Sequence, residues 1–212
     1  LEVNMANTTF KGTVRSEGGY SSIATAATTG AETTQMSVSS AGFTSLDANT
    51  MATEAGTGIT GGTGTVYKSS VIREGGIIKT SILIDLTGLR STASGDIIGV
   101  DGTSNVCHIG QITAARNGTI LAGRMTCFEA PAGGDPDINI HSATEGTGVE
   151  DGAISSLTET LLVNSGDATL GSVVVLTAVP AADEYLYLTL GATTDADYTA
   201  GKLLIELYGY EA

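Results

Sequence analysis

Residues 66–86, VYKSSVIREGGIIKTSILIDL, decide the fold class. The runs Val66 to Ile72 and Ile77 to Leu86 are rich in β-branched and aliphatic side chains, and Glu74-Gly75-Gly76 between them supplies the positive φ that a tight hairpin turn needs. Side chains alternate between the two faces of a strand, so Ile82, Ile84 and Leu86 share one face and predict that it is buried. A hairpin with one apolar face must be covered by further sheet.

The same texture continues to the C-terminus. Asp96 to Val100 reads as a short strand closed by a turn at Asp101-Gly102. Val106 to Ala115 and Thr119 to Glu129 flank Arg116-Asn117-Gly118, read as a hairpin loop with Gly118 left-handed, which sets Cys107 opposite Cys127. Further strands are expected at Ile138 to Ser142, Ser156 to Val163, Ser172 to Val179, Glu184 to Leu190 and Lys202 to Tyr210. Alternation in the penultimate run puts Leu186, Leu188 and Leu190 on a core face with Leu203 and Ile205, and turns Tyr185 and Tyr187 the other way. Short strands at roughly 8–12-residue spacing, with no convincing long helix, predict an all-β fold: an antiparallel, jelly-roll-like β-sandwich over residues 66–212.

Residues 1–65 have a different character. Thr, Ala, Gly and Ser dominate, and the apolar residues Phe10, Val14, Ile23, Phe43 and Leu46 stand isolated. That pattern predicts an extended, irregular N-terminal arm or short irregular strands, followed by a Gly-rich hinge at Gly56-Thr57-Gly58-Ile59-Thr60-Gly61-Gly62-Thr63-Gly64. The sequence begins at Leu1, and Met5 reads as a natural start.

Charge divides the chain unevenly. Of 212 residues, nine are Lys or Arg and 23 Asp or Glu, a formal net charge of −14. Residues 1–90 carry six basic and seven acidic side chains, residues 91–212 three and 16. So acidic a body repels phosphate backbones and anionic lipid heads, which argues against a nucleic-acid or membrane partner. No apolar run of about 18 residues is present to span a membrane as a helix, and no signal-peptide pattern opens the chain, so folding in a reducing cytoplasm is expected, with Cys107 and Cys127 as buried free thiols.

Chemical motifs dissolve on inspection. Gly56-x-Gly58-x-x-Gly61 matches a dinucleotide fingerprint, but no apolar strand precedes it and no helix is expected after it. Asp135-x-Asp137-x-Asn139 opens like a calcium loop, yet Ile140 stands where the turn needs Gly and Gly146 where the bidentate Glu belongs. His108 and His141 lack metal spacing, and Cys107, His108 and Cys127 lack the paired spacing of a zinc site. No catalytic, cofactor-binding or metal-ligating residue is therefore assigned, and the chain reads as a non-enzyme. Five of its seven tyrosines lie after residue 180, and the faces bearing Tyr185, Tyr187 and Tyr208 are the expected subunit contacts.

Four blocks carry a family resemblance: MANTTFKGTVRSEGGY (5–20), GTVYKSSVIREGGIIKTSILIDLTGLRSTASGDIIGVDG (64–102), CHIGQITAARNGTILAGRMTCFEAPAGGDPDINIHSATEGTGVEDGAI (107–154) and ADEYLYLTLGATTDADYTAGKLLIELYGYEA (182–212). Together they resemble virion structural proteins of tailed marine bacteriophages, of the head decoration, or cement, type. The resemblance implies trimers at local three-fold axes on the outer surface of the phage head, with the major capsid protein as partner, and no enzymatic activity or cofactor. Phe10, Val14, Ile23, Phe43 and Leu46 are then the expected capsid contacts. The competing expectation is a head- or tail-fibre adhesion module that binds host-surface glycans.

Overall fold

A computed structural model of the chain describes residues 53–193 and 195–211 in full, and before them the backbone of three strands, β1 (Tyr20–Thr25), β2 (Glu32–Ser39) and β3 (Gly42–Leu46). The chain divides into two compact units, Leu1–Thr50 and Met51–Ala212. In the first, β1, β2 and β3 pair antiparallel in that order, so this part of the expected arm is a small sheet.

The second unit is a sandwich of two antiparallel sheets. After a single helical turn, α1 (Thr57–Thr60), the strands are β4 (Val66–Glu74), β5 (Ile77–Asp85), β6 (Gly110–Gln111), β7 (Thr119–Ala132), β8 (Ile138–Ala143), β9 (Glu159–Val163), β10 (Val173–Val175), β11 (Tyr185–Leu190) and β12 (Ala200–Tyr210). One sheet has the order β10-β7-β12-β5-β4, the other β6-β11-β8-β9. The β4–β5 hairpin is as expected: Glu74 pairs with Ile77 across two glycines at φ +57° and +89°, the pair of positive φ values that a two-residue turn of matching twist requires.

The buried faces follow the alternation in the sequence. Ile82, Ile84, Leu86, Leu186, Leu188, Leu190, Leu203 and Ile205 are all buried in one core shared by both sheets. Cys107 and Cys127 belong to that core as free thiols. Burial pushes the Cys107 thiol up to about 12, so it stays protonated and unreactive at neutral pH.

Three expectations are corrected. Arg116-Asn117-Gly118 does not close a hairpin, because β6 belongs to the four-stranded sheet and β7 to the five-stranded one. The link is a helical turn, α2 (Ala114–Asn117), capped by Thr113, whose Oγ1 accepts the Arg116 N–H at 3.3 Å. Buried Asn117 anchors it: its Oδ1 accepts the Thr113 N–H at 2.9 Å and its Nδ2 donates to Thr80 Oγ1 at 2.8 Å. Cys127 consequently lies opposite Leu203 in the ladder, while the Cys107 N–H donates to Gly148 O; the two cysteines are not cross-strand partners.

The Gly-rich run is likewise not a hinge. Ile59 is fully buried, Gly56 N–H donates to His108 O at 2.8 Å and Gly58 N–H to Val106 O at 2.9 Å. Gly is needed there for close approach, since a Cβ on Gly58 would fall 2.4 Å from Cys107 Sγ and 2.6 Å from Asn105 O. The boundary between the units therefore falls after Thr50, not at residue 65. Finally, the tyrosine side of β11 is not an open face: Tyr187 is fully buried, with Gly148 against its ring.

A packed loop and a hinge respond oppositely to a methyl group. Gly58→Ala is expected to destabilise the protein by about 2 kcal/mol or more through overpacking, read as a fall in the thermal or urea midpoint. An unchanged midpoint would restore the hinge.

Candidate functional site

The outer face of the five-stranded sheet is the surface on which the exposed apolar residues gather. Its positions alternate with the core positions just described: Lys79, Ser81, Leu83 and Asp85 on β5, Lys202, Leu204, Glu206 and Tyr208 on β12, Arg124 and Thr126 on β7. At the sheet edges and ends lie Val66, Ile72, Ile77, Phe128, Val173, Val175 and Tyr210, all well exposed, with Val175 at 66%. Beside Phe128 an open depression of about 530 Å³ is lined by Glu129, Ala130, Leu170, Ala200 and Lys202.

The charges between these apolar residues are already matched. Glu206, on the middle strand, takes Lys79 Nζ at 2.5 Å from β5 and Arg124 Nε at 2.6 Å from β7. Its side chain is only 5% exposed. Burial alone would raise its carboxyl, but the hydrogen bonds from Lys79 and Arg124 outweigh that and hold it below the usual carboxylate range. Four residues along β12, Lys202 bridges Glu129 on β7 and Asp85 on β5, the latter at 3.3 Å. Asp85 is further held by the Thr87 N–H at 3.1 Å and hydroxyl at 2.7 Å.

This face stands apart electrostatically. The residues of the second unit described in full hold seven basic and 19 acidic side chains. Lys68, Lys79, Arg124 and Lys202 share the sheet face with Glu74, Asp85, Glu129 and Glu206, which leaves Arg73, Arg90 and Arg116 against 15 acids everywhere else among the described residues. The body is strongly acidic with one nearly neutral side.

Of the three tyrosines expected at subunit contacts, only Tyr208 lies here, half-buried, with Lys79 Nζ 6.0 Å from its ring centroid. Tyr185 and Tyr187 are on the other sheet. The Tyr187 hydroxyl donates to Glu145 O at 2.8 Å and accepts the Gly148 N–H at 3.2 Å, so this residue is structural and cannot meet a partner. Tyr185 is half-buried, its ring 5.0 Å from that of His108. Among the expected capsid contacts, Ile23 lies in β1 and Phe43 and Leu46 in β3, while Phe10 and Val14 fall outside the described residues.

Two further pairings join residues distant in sequence. His141 Nδ1 lies 2.7 Å from Glu159 Oε2, a contact set by the β8–β9 register. Glu150 is buried beside Asp151, one of its carboxylate oxygens without a partner and the other accepting the Gly102 N–H at 3.3 Å. Burial, and then the neighbouring Asp151 charge, raises Glu150 to about 7. In the stretch that begins like a calcium loop, Asp135 Oδ1 accepts the Asp137 N–H at 2.9 Å and Asn139 Oδ1 the Ser165 N–H at 3.1 Å, so both serve the fold. Among the described residues no three His, Cys, Asp or Glu side chains are grouped to hold a metal ion, and no helix is long and apolar enough to cross a membrane.

No family model, no curated protein and no solved structure matches this chain.

Glu206→Gln removes the charge that joins three strands and leaves Lys79 and Arg124 facing each other. A loss of about 1–3 kcal/mol in unfolding free energy is expected, whereas Lys68→Gln, which breaks no ion pair, should leave the urea midpoint within error. Glu150 works in the opposite sense. Its folded pKa of about 7 exceeds the ordinary 4.5, so the folded chain holds a proton that the unfolded chain has released, and stability falls as pH rises through that window. Glu150→Gln should therefore raise the melting temperature at pH 8 by roughly 2–4 °C, for on the order of 1 kcal/mol, with the difference vanishing near pH 4.5; differential scanning calorimetry across that range reads it directly.

Proposed function

We propose that this protein is a capsid decoration, or cement, protein of a tailed bacteriophage, a non-enzymatic element that clamps neighbouring major capsid subunits from outside the head. The observation that carries the reading is the polarity of the body: an acidic sandwich with one neutral, apolar sheet face. A molecule that must remain dispersed, stay clear of DNA and still lie against protein needs that division of its surface.

The sandwich itself is best read as a jelly roll. Strands β5 to β12 distribute as β5-β12-β7-β10 and β6-β11-β8-β9, the neighbours that two interleaved Greek keys produce, with β4 added at one edge. That architecture is common in viral coats and in lectins, so it supports the virion reading without selecting it alone.

The N-terminal unit is the proposed attachment element. It is Thr- and Ala-rich and carries two basic against four acidic residues, so it meets an acidic shell with little repulsion. Binding only the assembled shell stabilises that shell by mass action, and several protomers engaging together multiply the effect. Three copies about a local three-fold axis is the assembly that the resemblance implies. The adhesion reading is favoured by one feature, the open depression in which exposed Phe128 lies beside Glu129 and Lys202, an aromatic ring next to hydrogen-bonding groups.

Because residues 53–65 are built into the sandwich, removal of residues 1–50 is the informative truncation. The full chain, added to undecorated heads of its own phage, should co-sediment with them in hundreds of copies per particle. The 51–212 fragment should keep a cooperative β-sheet melting transition and lose binding. Undiminished binding by the fragment removes the N-terminal unit from attachment. Failure of the full chain to bind, with glycan-array binding that Phe128→Ala abolishes, replaces the decoration reading by adhesion.

A further inference from the structure

We propose that the outer face of the five-stranded sheet is the docking surface for a second copy of this chain, sheet against sheet about a two-fold axis. Seven of the eleven large apolar side chains exposed among the described residues belong to this face, at its edges and ends, and half-buried Leu83 and Leu204 lie near its middle. An apolar surface of this extent needs an apolar partner. Among the described residues no other surface gathers as many exposed apolar side chains, so the matching partner is the same face of another copy.

The charges allow that burial. Removing water from an unpaired charge is costly, and an interface core is normally depleted of charge for that reason. Here Glu206 is shared between Lys79 and Arg124, and Lys202 between Asp85 and Glu129, so the middle of the face can be dehydrated with every ion already matched inside its own subunit. The one unmatched cation, Lys68, is exposed on edge strand β4, at the rim, where its ammonium stays in water. Electrostatics also select the copy's orientation. Elsewhere the described body holds three basic against 15 acidic side chains, so any other approach of two copies sets acid against acid.

The dimensions fit. Four long strands about 4.8 Å apart, taken at the nine-residue length of β4 and β5 and rising about 3.3 Å per residue, together with three-residue β10 present roughly 600 Å² in projection. A standard specific interface buries about 800 Å² on each partner. Identical faces meeting about a two-fold axis form a closed, isologous contact and give even-numbered assemblies, unlike the simple trimer that the family resemblance implies.

The test uses the full chain in solution, without capsids, and so stands or falls separately from the decoration reading. Sedimentation velocity and light scattering at tens of micromolar should give twice the chain mass, or an even multiple. Val175→Glu combined with Phe128→Glu, both on exposed positions, should halve that mass with the circular-dichroism spectrum and melting temperature retained, and Val173→Glu is the second variant on the same face. Leu161→Glu, also exposed but on the other sheet, should leave the mass unchanged. A wild-type monomer, a trimer, or an oligomer indifferent to both sheet-face variants overturns the proposal.

Discussion

Strand β12 holds the molecule together. It pairs antiparallel with β5 along one side and with β7 along the other, so two of the three longest ladders among the described residues share one strand. Its inward side chains, Leu203, Ile205 and Leu207, fill the core, and its outward ones, Lys202 and Glu206, organise every ion pair in the middle of the sheet. Because β12 starts more than a hundred residues after β5 ends, the hairpin made from residues 66–85 stays half-covered until that distant strand arrives. Such long-range pairing must offset a large loop-closure entropy before any contact rewards it.

The two sheets solve the problem of their outer faces differently. The four-stranded sheet is covered by its own chain: the loop after β8 lies against it, with the Tyr187 hydroxyl donating to Glu145 O and Gly148 against the Tyr187 ring. Backbone must come close for that, and the glycines at 146 and 148 leave room for the rings of Tyr185 and Tyr187. The five-stranded sheet has no such cover from the described residues of its own unit. Its outer face carries matched charges and exposed aliphatics in place of a second layer, a composition suited to protein contact. That difference connects a local packing fact to the functional reading, since among the described residues the unburied sheet face is also the side free of excess negative charge.

Local patterning was enough to read much of this in advance. The β4–β5 turn was legible because Gly75 and Gly76 leave the backbone few alternatives, and the core positions on β5, β11 and β12 were legible because a period of two admits only one assignment of faces. The ion pairs of the outer face had no such local signal, because Glu206 meets Lys79 and Arg124 across 127 and 82 residues of sequence. Such pairs exist only once register is set. The same holds for His141 and Glu159, 18 residues apart and joined by strand pairing.

What the amino-acid order determined by itself was periodicity, turn chemistry and charge, and through them an antiparallel β-sandwich with an acidic body and two buried thiols. What only the tertiary structure decided was which neighbour each segment chose. Arg116-Asn117-Gly118 has the composition of a hairpin, yet Asn117 finds Thr80 in the core and the chain crosses between sheets instead. Gly56 to Gly64 has the composition of a linker, yet close approach of Gly56 and Gly58 to residues 105–107 makes those two glycines a packing requirement. Tyr187 has the alternation of an exposed residue, yet a loop more than thirty residues away in the chain covers it, with Glu145 O 42 residues distant as its partner. In each case the local signal was compatible with two outcomes, and the contact that chose between them came from residues whose proximity no local pattern encodes.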